Sequence, residues 1–225
     1  MKTYEQSESR ALTQVWPAVA LALAGVWLAG CHTTVYQQGD RAAGSSRAAA
    51  TELQTQSQAL EGTTATLSNL VYKPAPDLKP QFQSFSAALD GLAAAARRGG
   101  VTGSHLERSN ALYFAAWDKQ LTTITNADVR SRSEARKTEV SNQFNAAHNQ
   151  YTQAQAALWS QVEYLQDIRR ALSTDLTAGG LEAVKPLVRT ASDNSNNVQT
   201  ALTQARTNLT ALSTAMSSAG GPSGK

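Results

Sequence analysis

Apolar and small side chains recur along most of this chain at alternating intervals of four and three residues. That spacing confines the chain to long helices packed side by side, because it keeps one stripe of each helix facing a partner. The first stripe runs Ala42, Ser46, Ala49, Leu53, Gln56, Leu60, Thr63, Leu67 and Leu70. Small and polar residues at several of these positions make a weak seam, so this helix needs its neighbours. A second stripe reads Leu78, Phe82, Phe85, Leu89, Leu92 and Ala96, and resumes through Leu106, Tyr113, Trp117, Leu121 and Ile124. The third carries Val140, Phe144, Ala147, Tyr151, Ala154 and Leu158, then Val162, Leu165, Leu172 and Leu176. Leu158 to Val162 adds a second consecutive interval of four, a stutter that locally unwinds a supercoil. The last and most regular stripe extends from Leu181 through Val188, Ser195 and Leu202 to Met216.

Breakers set the expected boundaries. Lys73-Pro74-Ala75-Pro76 stops the first helix, since each proline disfavours a helical residue before it. Asp77 then caps the second, with Pro80 tolerated in its first turn. Gly99-Gly100 and Gly103 cost about 1 kcal/mol each inside a helix. Ser104 and Glu107 stand at capping-box spacing just beyond. A break at 98–103 is therefore expected, with one long kinked helix as the alternative. Asn126-Ala127-Asp128 suits a turn, and Gly179-Gly180 suits a helix stop. Pro186 lies early in the fourth stripe, so order begins either there or at Leu181. Ser195, flanked by asparagines, makes a polar layer that fixes register. Short connections force antiparallel neighbours, and the third helix, about 45 residues, extends about 70 Å. No alternating strand pattern of useful length is present. The expectation is an all-α, elongated antiparallel four-helix bundle, equally described as coiled-coil hairpins with heptad stripes.

Leu28-Ala29-Gly30-Cys31 ends an apolar run from Val15 to Leu28. The run is too short to span a bilayer, which takes about twenty residues, and Pro17 weakens a spanning helix further. Its length and the small residues after it suit a signal segment, with an uncleaved anchor as the alternative. The four residues resemble the lipobox of bacterial lipoproteins, which implies cleavage before Cys31 and acylation of its thiol. Cys31 is the chain's one cysteine, so it has no disulfide partner within the chain. Several acyl chains give lasting attachment, where a single one anchors only marginally. His32 stands where enteric-type sorting places aspartate for inner-membrane retention, so the resemblance implies the outer membrane, with the body in the periplasm. The organisation expected is a removed signal peptide at 1–30, a lipid-anchored linker at 31–41, the bundle at 42–218 and a flexible tail at 219–225.

From Ala111 to about Leu187 the order of residues is also distinctive. It reads Ala111-Leu112-Tyr113-Phe114, Trp117, Leu121, Thr125-Asn126, Val129-Arg130 and Ser133. It resumes with Phe144, Tyr151, Tyr164-Leu165, Leu172, Asp175-Leu176 and Leu181. This string resembles a family of bacterial envelope lipoproteins, domain of unknown function 2959. The Gly99–Gly103 segment and the Pro-rich 73–80 segment depart from that family's more continuous charged helices. The resemblance implies fold and location, and no activity.

Chemistry is sparse. His32, His105 and His148 have no metal-ligating neighbour at helical spacing, and Asp118, Asp128, Asp167 and Asp175 are scattered rather than paired for acid–base work. Gly99-Gly100-Val101-Thr102-Gly103 lacks the Gly-Lys-Ser/Thr ending and preceding strand of a phosphate loop. No catalytic residue, metal or cofactor is expected, and the chain reads as a non-enzyme. The net charge of +3 belongs to the part after the signal segment, because Lys2 and Arg10 are balanced there by Glu5 and Glu8. So small an excess argues against nucleic acid. Two groups remain as candidate contacts. Tyr113, Phe114 and Trp117 either pack as core or line a ligand cleft between helices. Arg130, Arg132, Arg136 and Lys137 stand at a helix N-terminus, where positive charge opposes the macrodipole. Either they form a solvated face or they meet a protein partner or anionic lipid. The function expected is a membrane-tethered periplasmic scaffold that binds an envelope protein, with a bundle that holds a lipid or small apolar ligand as the alternative.

Overall fold

In the computed structural model, Thr34 donates its backbone N–H to Gln37 Oε1 at 3.0 Å and so starts the first helix by half of a capping box. Residues 34–218 are described; the expected signal segment, the acylation site Cys31 and the whole of the expected tail lie outside them. Four helices follow, α1 (Val35–Tyr72), α2 (Lys79–Leu121), α3 (Ala127–Thr174) and α4 (Ala178–Met216). Among the described residues there is no strand. Each helix packs on its neighbour in sequence and α4 closes on α1, which leaves α1 diagonal to α3 and α2 diagonal to α4. The all-α antiparallel four-helix bundle expected from the spacing is the fold. With 48 residues, α3 is about 70 Å long at 1.5 Å per residue. Helix α1 starts seven residues ahead of its first expected stripe position, so the stretch expected as linker is helical from Val35.

The loops follow their breakers with one exception. Residues 73–78 leave the helix at the prolines, and the Gln81 side chain ties them back, accepting from Ala75 N at 2.8 Å and donating to Lys73 O at 2.9 Å. Asp77 does not occupy the cap of α2, which is Leu78 without a side-chain cap bond, but stands one residue ahead and accepts from Lys79 N at 3.0 Å; Asn126 caps α3 by accepting from Val129 N at 3.0 Å. Gly179-Gly180 does not stop a helix; it begins one. Thr177 is the cap, accepting from Gly180 N at 3.2 Å. A Cβ on Gly180 would lie 2.9 Å from the Asp175 carboxyl carbon, so glycine is what lets the chain fold back there. Helix α4 runs through Pro186 without interruption. Buried Leu181, Val184 and Val188 hold both sides of the missing N–H against the core.

The expected break at 98–103 is absent, and α2 is one continuous helix. Ser104 sits mid-helix and bonds back to Gly100 O instead of capping. The four-three stripe in fact continues unbroken from Ala96 through Gly99, Gly103, Leu106, Asn110, Tyr113 and Trp117. Two glycines therefore occupy seam positions. Above Gly99 lies a pair of buried amides: Gln155 Nε2 donates to Gln56 Oε1 at 2.7 Å, and Gln56 Nε2 donates to Gln155 Oε1 at 3.2 Å and to Ala95 O at 3.1 Å. The Tyr151 hydroxyl donates to Gly99 O at 2.6 Å, and its ring lies where a Gly103 Cβ would be, 2.9 Å away. The glycines make room for a polar layer that joins α1, α2 and α3.

A second layer lies further along. Gln161 Nε2 donates to Ala191 O and to Ser195 Oγ, both at 2.9 Å, and Thr64 Oγ1 is 3.0 Å from Ser195 Oγ. Ser195 is the polar layer expected from the sequence, and Gln161 is its unforeseen partner. Gln161 also removes the stutter. With Gln161 and Ile168 in the seam, α3 keeps four-three spacing from Leu158 to Leu172, and all of these are buried. Polar seam residues without a cross-helix partner bond their own helix, as Ser46 Oγ to Ala42 O at 3.0 Å and Thr63 Oγ1 to Ala59 O at 2.7 Å.

Adjacent glycines should therefore respond in opposite directions. Gly99→Ala places a Cβ 2.8 Å from Gln155 Cδ. The amides swing clear only by giving up bonds in a buried site, at ~1–3 kcal/mol for each group left unpaired. A Cβ on Gly100 would meet nothing within 4 Å, so Gly100→Ala should stabilise by about 1 kcal/mol through helix propensity alone. Urea denaturation of the two variants checks the sign of each.

Candidate functional site

The bundle has two ends of different character. One is formed by the start of α1, the 122–126 turn and the end of α4; the other by the loops at 73–78 and 175–177.

Tyr113, Phe114 and Trp117 lie near the first end and are packed, not spread around an opening. Tyr113 stacks obliquely on Phe114 and Trp117 with ring centroids 5.4 and 5.3 Å away. Phe114 meets Phe144 of α3 edge-on at 6.1 Å, and Trp117 Nε1 donates to Ser133 Oγ at 3.0 Å. Gly39 of α1 admits the Tyr113 ring, since a Cβ there would lie 3.1 Å from Tyr113 Cε2. Burial pushes the Tyr113 phenol above its usual range. These rings set the spacing of the α2–α3 seam, the loosest of the four, whereas α1 and α2 approach through alanines such as Ala42, Ala49, Ala93 and Ala96.

The basic group divides in two. Arg136 pairs with Glu139 at 2.7 Å and donates to Ala215 O at 3.2 Å. A cation therefore sits at the C-terminal carbonyls of α4, where the macrodipole favours it. Lys137 pairs with Asp118 and ties α3 to α2. Both hold the bundle together, which neither a solvated face nor a partner contact anticipates. Arg130 reaches only Ile124 O at 3.4 Å. Among the described residues neither Arg130 nor Arg132 has a carboxylate within ion-pair distance.

The same end is closed by a clasp between the first and last helices. Asp40 Oδ1 accepts from Ser218 N at 2.8 Å and Oδ2 from Ser218 Oγ at 2.7 Å, while Arg47 Nε donates to Ser213 Oγ at 2.8 Å. The backbone and hydroxyl donors of Ser218 hold the Asp40 carboxyl below its usual range.

At the other end an open cleft of about 800 Å³ lies between the proline loop and the start of α4. Val71, Pro74, Pro76, Leu78 and Leu181 supply apolar wall, with Lys79 and Glu182 at the margin. Tyr72 is exposed beside it, its hydroxyl donating to Lys185 O at 3.3 Å. The sequence stripes did not single out this cleft, because it is made by a loop.

His105 is exposed beside Ser109, and His148 stacks on Phe144 at 5.5 Å. No group of three or more metal-ligating side chains occurs among the described residues, and none of the described helices is long and apolar enough to cross a membrane.

Two outcomes test this end of the bundle. Because the Asp40 carboxyl is depressed when folded, the clasp's contribution is present above the unfolded value, about 4, and is lost as pH falls through the folded one. Asp40→Asn removes it at neutral pH, read as faster amide exchange over 213–218 with global stability little changed. Lys137→Ala should cost up to ~1 kcal/mol, and Arg132→Ala less than about 0.5 kcal/mol, in thermal unfolding. Compared with known proteins, the chain matches no family model, no curated protein and no solved structure.

Proposed function

We propose that this chain is a lipid-anchored helical protein of the bacterial cell envelope. In this reading it is acylated at Cys31, held to the outer membrane with its body in the periplasm, and works without catalysis as a scaffold for another envelope protein. The observation that carries this reading is the junction between anchor and body. Only His32 and Thr33 stand between the lipobox cysteine and the capping residue Thr34. An acyl anchor at Cys31 is thus joined to a long helical body by two residues. The resemblance of Leu28-Ala29-Gly30-Cys31 to the lipobox of bacterial lipoproteins points the same way.

The described body supports contact with a protein more than capture of a small ligand. The alternative, a lipid or apolar molecule held at Tyr113, Phe114 and Trp117, has against it that these rings pack on one another and on Phe144. The cleft beside Pro74 and Pro76 is open, with apolar and charged side chains in its wall, and it lies at the end of the bundle away from Thr34. A partner seated there is reached across the length of the helices.

Mass spectrometry of the chain from bacterial membranes tests the anchor. The expected product begins at Cys31 and carries acyl chains, and Cys31→Ala accumulates as the full-length, unacylated chain. Photo-crosslinkers at Pro76 and Leu187 test the scaffold. A reproducible envelope protein adduct that depends on Cys31 is the expected result. A monomeric body with no protein adduct and co-purified lipid would overturn it.

A further inference from the structure

At the Thr34 end the ion pairs leave an excess of cations. Asp118 is paired with Lys137 and Glu139 with Arg136, while the Asp40 carboxylate keeps its charge and is hydrogen-bonded by Ser218. Arg41, Lys119, Arg130 and Arg132 have no carboxylate within ion-pair distance among the described residues, and only Asp128 and Glu134 remain free near the start of α3. Each of the four lies within seven residues of a helix end, about 10 Å along the axis at 1.5 Å per residue. Two of the large apolar side chains that the body leaves in solvent are at this same end: Tyr36 is 60% exposed and Val129 is 54% exposed. Neither packs on the core. An amphipathic aromatic ring and an aliphatic tip beside unpaired lysine and arginine suit the boundary between headgroups and acyl chains.

We propose that this end of the bundle rests on an anionic phospholipid surface, with Lys119, Arg130 and Arg132 against headgroup phosphates and Tyr36 and Val129 at the acyl boundary. The proposal rests on the acyl anchor at Cys31. Two intervening residues allow no more than about 11 Å between Cys31 and Thr34, so an anchored chain keeps this end of the bundle, and not the opposite one, beside the lipid surface. The anchor supplies attachment, and the cations hold the bundle's end down on the surface. Basic residues near an anionic leaflet each add about a fivefold preference and the free Asp128 and Glu134 offset part of it, so the preference for anionic over zwitterionic lipid lies between about fivefold and about a hundredfold at low salt.

The test uses the full acylated chain in phosphatidylcholine vesicles with and without phosphatidylglycerol. Amide exchange is followed over 119–134, with 73–78 as the remote control. The expected result is slower exchange over 119–134 only when phosphatidylglycerol is present, with the difference lost in high salt and in the Lys119→Glu/Arg130→Glu/Arg132→Glu variant. These residues are exposed, and an unchanged urea midpoint shows that the variant is folded. Equal exchange over 119–134 in both vesicles, with the chain floating on both, overturns the surface contact while leaving the anchor standing. An unmodified Cys31 thiol by mass spectrometry overturns the anchor, and the tethered contact with it.

Discussion

Two glutamine side chains, Gln56 and Gln155, face each other in the core and satisfy one another's amides, and the register of α1, α2 and α3 depends on them. An amide placed opposite leucine by a shift of one seam position would be buried without a partner, at a cost of ~1–3 kcal/mol. Apolar seams alone set no such limit, because alanine against leucine fits nearly as well one heptad along. Gly99 is part of the same device. It gives the amides their space and offers Tyr151 its carbonyl. Burial, with Glu52 nearby, pushes the Tyr151 phenol far above its usual range, so the hydroxyl stays a donor throughout the physiological range.

The remainder of the bundle repeats this economy. Its core is rich in alanine, which fills little volume but lets α1 and α2 come close. Aromatic rings hold α2 and α3 further apart, and the second polar layer at Gln161 and Ser195 fixes α4 on α3. Surface ion pairs such as Arg169–Asp90 and Arg98–Glu52 cross between helices, but exposed pairs are worth only ~0–1 kcal/mol each. Register is set inside, and the ends are closed by specific contacts. Asp40 and Arg136 hold the end of α4, and Gln81 holds the proline loop. That leaves Lys119, Arg130 and Arg132 without a carboxylate partner at one end and an open cleft at the other.

Much of this was legible in the chain. Leucine and alanine at four-three spacing marked all four helices, and Lys73–Pro76, Asn126 and Ser195 behaved as their chemistry indicates. The misreadings have one physical source. Gly99, Gly103 and Gln161 occupy seam positions with residues that do not look like seam, so a stripe read from apolar residues broke at each of them. The local cost of glycine in a helix is real, about 1 kcal/mol per residue, but the neighbouring helices recover it by packing into the space. Counting intervals through the glycines, from Ala96 to Leu106, would have exposed the continuity. Gly180 misled for a related reason, since a tight turn needs glycine whether a helix is ending or starting. The division of the basic group was not legible, because Lys137 and Arg136 find Asp118 and Ala215 only across the bundle.

A double-mutant cycle on Gln56 and Gln155 is the most direct test of how this bundle is held in register. Gln56→Leu, Gln155→Leu and the pair together would be unfolded in urea. Each single change strands a buried amide, so the account predicts that the double variant loses far less than the sum, with a coupling of about 2 kcal/mol. Additive losses, with no coupling beyond ~0.5 kcal/mol, would contradict it.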